Sequence, residues 1–103
     1  MTSISKVIDG KRYNTETATE ICHYEAGYWG DFAYCYEGLF LTKKGNYFIA
    51  GRGGAMSRYG VSRGNERTAG RNITVVDKAE ALAFAEKYAD AETVAEYFEI
   101  EDA

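Results

Sequence analysis

Arg58, Arg63, Arg67 and Arg71 recur at intervals of four or five residues, with Arg52 just ahead of them and Tyr59 among them. Guanidinium groups spaced this way through a pliant segment suit phosphate neutralisation, and the tyrosine adds a ring on which a base could stack. The enclosing stretch, residues 50–71, also holds six of the eleven glycines. A phosphate-cradling loop is nevertheless a poor match. "GRGGAMS" lacks the Gly-Lys-Ser/Thr ending of a P-loop and the strand-to-helix setting of a dinucleotide fingerprint.

A second constellation lies upstream in "HYEAGYWGDFAYCYEG", residues 23–38. Tyr24, Tyr28, Trp29, Phe32, Tyr34 and Tyr36 alternate there with Glu25, Asp31 and Glu37. Tyrosine and tryptophan supply most interface hot spots, and interleaved carboxylates suit a partner that presents arginines. The candidate partner-binding set is therefore Tyr24, Glu25, Tyr28, Trp29, Asp31, Tyr34, Tyr36 and Glu37. Its alternative is the basic set Arg52, Arg58, Tyr59, Arg63, Arg67 and Arg71 in the loop 51–71.

Catalytic chemistry has little to work with. The chain has one histidine, His23, and two cysteines, Cys22 and Cys35, with no CxxC pair. A four-ligand zinc site cannot be assembled from these, so neither a metal nor another cofactor is expected. Cys22 and His23 are adjacent, and neighbours on a strand point to opposite faces, which argues against a dyad. The cysteines read as reduced residues in or near a core. No enzymatic activity is expected.

The net charge of −4 conceals strong segregation. Residues 13–42 carry Glu16, Glu20, Glu25, Asp31 and Glu37 with no Lys or Arg, whereas residues 43–71 carry seven cations against Glu66 alone. From residue 72 onward nine acids face only Lys78 and Lys87. Such blocks could give a dipolar surface that steers a charged partner.

These residues must be positioned by a chain of 103 residues with 46% hydrophobic composition, enough for one domain, 1–103, with one core. "SISKVI" alternates as a strand and "DG" turns out of it; "NTETATEICHYE" favours a strand over a helix. Two apolar runs flanking "KKGN" form a central β-hairpin. Residues 50–71 then read as an irregular connection of roughly 20 residues. "ITVV" is a last strand, Asp77 caps a helix over "KAEALAFAEKY", and Asp90 caps a second over "AETVAEYF". The predicted fold is α+β: a small antiparallel sheet of three to five strands with C-terminal helices on one face. Phe40, Phe48 and Ile49 are expected beneath Leu82, Val94 and Phe98. No apolar run is long enough to span a bilayer, and the amino terminus lacks a secretory h-region, so a soluble protein, cytoplasmic in its host cell, is expected.

"GKRYNTETATEI", "LFLTKKGNYFIAGRGGAMSRYG" and "EALAFAEKY", in this order, resemble a group of small proteins encoded by phages and other bacterial mobile elements that includes anti-CRISPR inhibitors. The likeness spans about residues 7–98, with Asn14 and Phe84 where Asp and Trp are more usual. It implies a stoichiometric inhibitor, without catalytic residues, that binds a CRISPR-Cas effector and blocks target-DNA binding or cleavage. The acidic segments 13–42 and 77–103 would then act as a partial DNA mimic against basic channels. The alternative is a small DNA-binding regulator of a mobile element, using the Arg/Gly-rich loop. Either a monomer or a homodimer is compatible with the sequence.

Overall fold

The computed structural model describes residues 3–28 and 30–103; Trp29 lies outside the described residues. Its element order is β1 (Ser5–Ile8), β2 (Lys11–Asn14), β3 (Thr19–Ala26), β4 (Cys35–Leu41), β5 (Tyr47–Gly53), β6 (Val61–Arg63), β7 (Glu66–Thr68), β8 (Gly70–Val76), α1 (Lys78–Tyr88) and α2 (Ala91–Tyr97). The main sheet has the order β3-β4-β5-β8 and is antiparallel throughout. The hairpins β1-β2 and β6-β7 form two separate two-stranded sheets. The class is the expected α+β, with four strands in the main sheet and both helices at the carboxyl end.

The two faces of this sheet are covered by different layers. Leu39, facing one way, packs with Ile21, Val76, Ala81, Ala85, Val94 and Phe98 beneath the helices. Phe40, facing the other, packs with Phe48, Ala50 and Ile73 against Ile4 and Tyr13 of the amino-terminal segment. The expected core is therefore corrected in part. Ile49 does pack on the helical layer, but Phe40 and Phe48 lie on the opposite face. The reason is the two-residue period of a strand: adjacent residues Phe48 and Ile49 cannot share a face. Phe40 and Phe48 stack at 5.2 Å, and Tyr13 meets Phe48 edge-on at 5.6 Å.

Local signals place the elements as the residue types require. Thr42 and Asn46 close the β4–β5 turn through Thr42 N to Asn46 O at 2.8 Å, and Gly45 takes φ +88° within it. Asp77 accepts from Glu80 N at 2.8 Å while the Glu80 side chain accepts from Asp77 N at 3.1 Å, a reciprocal capping box. Asp90 caps α2 through Thr93 N. Two elements depart from the sequence reading. β2 was not anticipated, because "KRYN" is too short and polar to register as a strand. The 50–71 segment is not an irregular loop: β5 runs on to Gly53, β8 begins at Gly70, and the β6-β7 hairpin occupies the space between.

Phe48 is completely buried between aromatic neighbours. Phe48→Ala should cost about 3–5 kcal/mol in a urea or guanidinium titration, and Val75→Ala, on a half-exposed edge position, far less.

Candidate functional site

The acidic-aromatic set and the arginine set are interlocked. At the end of the sheet away from the β4–β5 turn, β3, β4 and β5 bring Tyr24, Glu37 and Gly51 into one cross-strand row and Glu25, Tyr36 and Arg52 into the next. On the helical side, the Tyr59 hydroxyl donates to Glu37 Oε2 at 2.6 Å, and Arg58 Nη1 stands 3.1 Å from the same oxygen. Arg58 also lies over the Tyr59 ring. Tyr24 stacks on Tyr88 of α1 at 5.0 Å. Glu37 is thus a buried carboxylate satisfied by a hydroxyl and a cation, not an open docking charge.

The opposite side of the same rows holds a second network. Tyr34 donates to Glu25 Oε2 at 2.6 Å, and the Tyr36 hydroxyl donates to Glu20 Oε2. Arg52 lies 5.0 Å from the centre of the Tyr36 ring and 3.5 Å from the Tyr34 hydroxyl. His23 stacks on Tyr36 and its Nδ1 is 3.6 Å from Glu20 Oε1. Residues 20 and 23 share a face only because the register shifts between Glu20 and Cys22. The bulge turns both Ile21 and Cys22 toward the helical core and returns His23 to the side of Glu20. Simple alternation would have separated them, so sequence reading missed Glu20 and His23 as members of this network.

The glycines of residues 50–71 serve packing. A Cβ on Gly51 would sit 2.0 Å from the Tyr59 ring, and one on Gly53 would sit 2.1 Å from Ser57 Oγ. Tyr59 therefore lies flat on bare backbone, and Ser57 turns the chain by donating to Gly54 O while accepting from Tyr59 N. Arg67 is also committed internally, its guanidinium reaching Ala55 O at 2.9 Å and Ser62 Oγ at 3.0 Å. Arg63 and Arg71 are exposed, Arg71 lying opposite Arg52 in the register. Of the six basic-set residues, four are thus engaged within the protein.

The remaining described residues of the acidic set, Tyr28 and Asp31, lie in the β3–β4 loop. Tyr28 is 83% exposed and Asp31 caps its own loop by accepting from Ala33 N. Phe32, 72% exposed, accepts through its carbonyl from Met56 N at 2.7 Å, which ties this loop to the segment after β5. Exposed Tyr28, Phe32 and Met56 make this loop pair apolar, a signal that only the fold reveals for Met56.

Charge is distributed by layer. All nine acids from Asp77 to Asp102 are exposed, whereas Glu37 is buried and Glu20 and Glu25 accept tyrosine hydroxyls. Glu16, Glu20, Glu25 and Asp31 are exposed as well, so open carboxylates lie both in the 13–42 segment and from residue 77 onward. Among the described residues no group of three His, Cys, Asp or Glu could hold a metal ion. Among them, too, no helix is long and apolar enough to cross a membrane. Cys22 and Cys35 are free thiols, half-buried and buried. In comparisons with protein-family models, curated proteins and solved structures, nothing matches this chain.

Burial, followed by the Glu20 charge, pushes the Cys22 thiol up to about 11. Burial and then the hydrogen bonds to Glu20 and Glu37 raise Tyr36 and Tyr59 well above the usual phenol range. Each group keeps its proton to higher pH folded than unfolded, so the stability it contributes is intact below the ordinary value and is lost as pH rises through the folded one. The denaturation midpoint should hold steady near neutrality and fall above about pH 9–10, and Tyr36→Phe with Tyr59→Phe should shrink that alkaline loss. An undiminished loss in the folded double variant would assign it to other groups. Gly51→Ala should displace the Tyr59 ring and cost about 1–3 kcal/mol, with the Tyr59 hydroxyl resonance shifting as its bond to Glu37 breaks.

Proposed function

We propose that this protein is an anti-CRISPR-type inhibitor that binds a CRISPR-Cas effector as a folded unit and blocks target-DNA binding or cleavage, with its helical layer as a partial DNA mimic. The observation that carries this reading is the outward display of nine carboxylates from residue 77 onward, with Lys78 and Lys87 as the only cations of that stretch. A channel that holds a heteroduplex through its backbone is lined by Lys and Arg, and the exposed carboxylates of α1, α2 and the residues flanking them are complementary to it. The exposed aromatic loop around Tyr28 and Phe32 adds anchor side chains of the kind that dominate protein interfaces. The resemblance in "GKRYNTETATEI" and "KKGNYFIAGRGGAMSRYG" supports the same class.

The reading that makes residues 51–71 a DNA-binding element has less behind it. Arg52, Arg58 and Arg67 are held by Tyr34, Glu37 and Ala55, so using them on phosphates would first cost their internal contacts.

The decisive experiment mixes the purified protein with purified effector–guide complexes of several CRISPR types and reads co-elution and target-DNA cleavage. Glu86→Lys, Glu96→Lys and Glu99→Lys together should weaken binding about ten-fold or more, since exposed single charges contribute only about 0–1 kcal/mol each. These three lie away from helix N-termini, so reversal does not oppose the helix dipoles. Retention of no effector, or undiminished inhibition by the folded triple variant, would overturn the proposal.

A further inference from the structure

Lys11 and Arg12 stand on β2, just after the turn from β1, and Lys43 and Lys44 stand in the turn between β4 and β5, more than 30 residues later. The fold brings these two turns together around an open groove of about 630 Å³, lined by all four cations with Thr17 and Asn46. The buried Tyr13 also lines it, so that the groove adjoins the β1-β2 core cluster. Among the described residues no carboxylate pairs with any of the four, and no acid lines the groove. Lys11, Arg12, Lys43 and Lys44 are exposed.

Four like charges around one concavity repel one another, and their combined field is strongest inside it. That arrangement contrasts with Arg58 and Arg67, which are engaged with the protein's own oxygens. We infer that this groove is a binding site for the phosphate backbone of a nucleic-acid strand, with Lys11 and Arg12 on one wall and Lys43 and Lys44 on the other. Cations on two walls of an open trough suit a succession of phosphates more than one enclosed anion. Among the described residues the only ring in the groove belongs to Tyr13, which is buried and packed against Phe48 and offers no face for stacking a base. Recognition is therefore of the backbone and independent of sequence. This site is separate from the acidic helical layer and does not depend on the effector reading.

The test is fluorescence anisotropy of the full protein with a labelled 12-nucleotide single strand and the matching duplex, each in two unrelated sequences and over a salt series, with inorganic phosphate as competitor. Binding should be indifferent to sequence and should weaken steeply with salt. Lys11→Gln with Arg12→Gln, and separately Lys43→Gln with Lys44→Gln, should each lower affinity roughly ten-fold near 50 mM salt and reduce the logarithmic salt slope by about 1.4–1.8. Testing each wall by itself guards against a fold defect in one turn, and circular dichroism checks both. Arg63→Gln with Arg71→Gln and the Glu86, Glu96 and Glu99 reversals should leave the salt slope unchanged. Equal loss from the Arg63 and Arg71 pair, no loss from either groove pair, or displacement by millimolar inorganic phosphate that matches the oligonucleotide in affinity would overturn the inference; the last result would make this a free-phosphate site.

Discussion

Strand β4 buries six consecutive residues, Cys35 to Phe40, and most of the architecture is a consequence of that. A strand buried on both faces needs a cover on each side. The chain supplies two helices for the face of Leu39 and the amino-terminal hairpin for the face of Phe40. With both covers in place, the polar and charged residues of each covering layer are left on the outside. The acids of α1 and α2 are then exposed on one side, and the cations of β2 and the β4–β5 turn line a groove elsewhere. The segregation of charge in the folded molecule thus follows from which segment covers which side of β4.

The buried polar groups at the far end of the same strand obey a related constraint. Glu37 projects from β4 on the helical side with little of its own surface exposed, and Tyr59 and Arg58 reach back from the segment after β5 to satisfy it. That return requires Tyr59 to lie against the backbone of β5, which only a glycine at position 51 permits. The concentration of glycine and arginine that looks like a ligand-binding loop in the sequence is here largely the internal partner of an acidic strand. Composition alone does not distinguish a basic segment that awaits an external anion from one that answers the protein's own carboxylates.

The elements were legible wherever local chemistry determines them. Asp77, Asp90 and the "KKGN" turn act within four residues of themselves, and each forms the cap or turn its residue types imply. What could not be read depends on distant pairing. β2 exists because Tyr13 packs on Phe48, 35 positions later, and the β6-β7 hairpin sits where Arg67 reaches Ala55. The face assignments of Glu20 and His23 turn on one extra residue in β3. Of the acidic-aromatic set, Tyr34, Tyr36 and Glu37 are largely internal while Tyr28 and Asp31 are exposed. The second covering layer, which decides exposure there, lies in other parts of the chain.

An acidic helical layer and a basic groove on one small protein would be expected to neutralise each other, and geometry limits this. Layers packed on a sheet stand about 10 Å from it, so groups on the outer surfaces of opposite layers are separated by about twice that distance. At physiological ionic strength the Debye length is about 8 Å, and exposed charges so far apart are largely screened from one another. Each surface therefore presents its own sign to a partner despite a net charge of only −4. Lower salt lengthens the reach of both fields, so electrostatic steering through either surface, and any opposition between them, is strongest there.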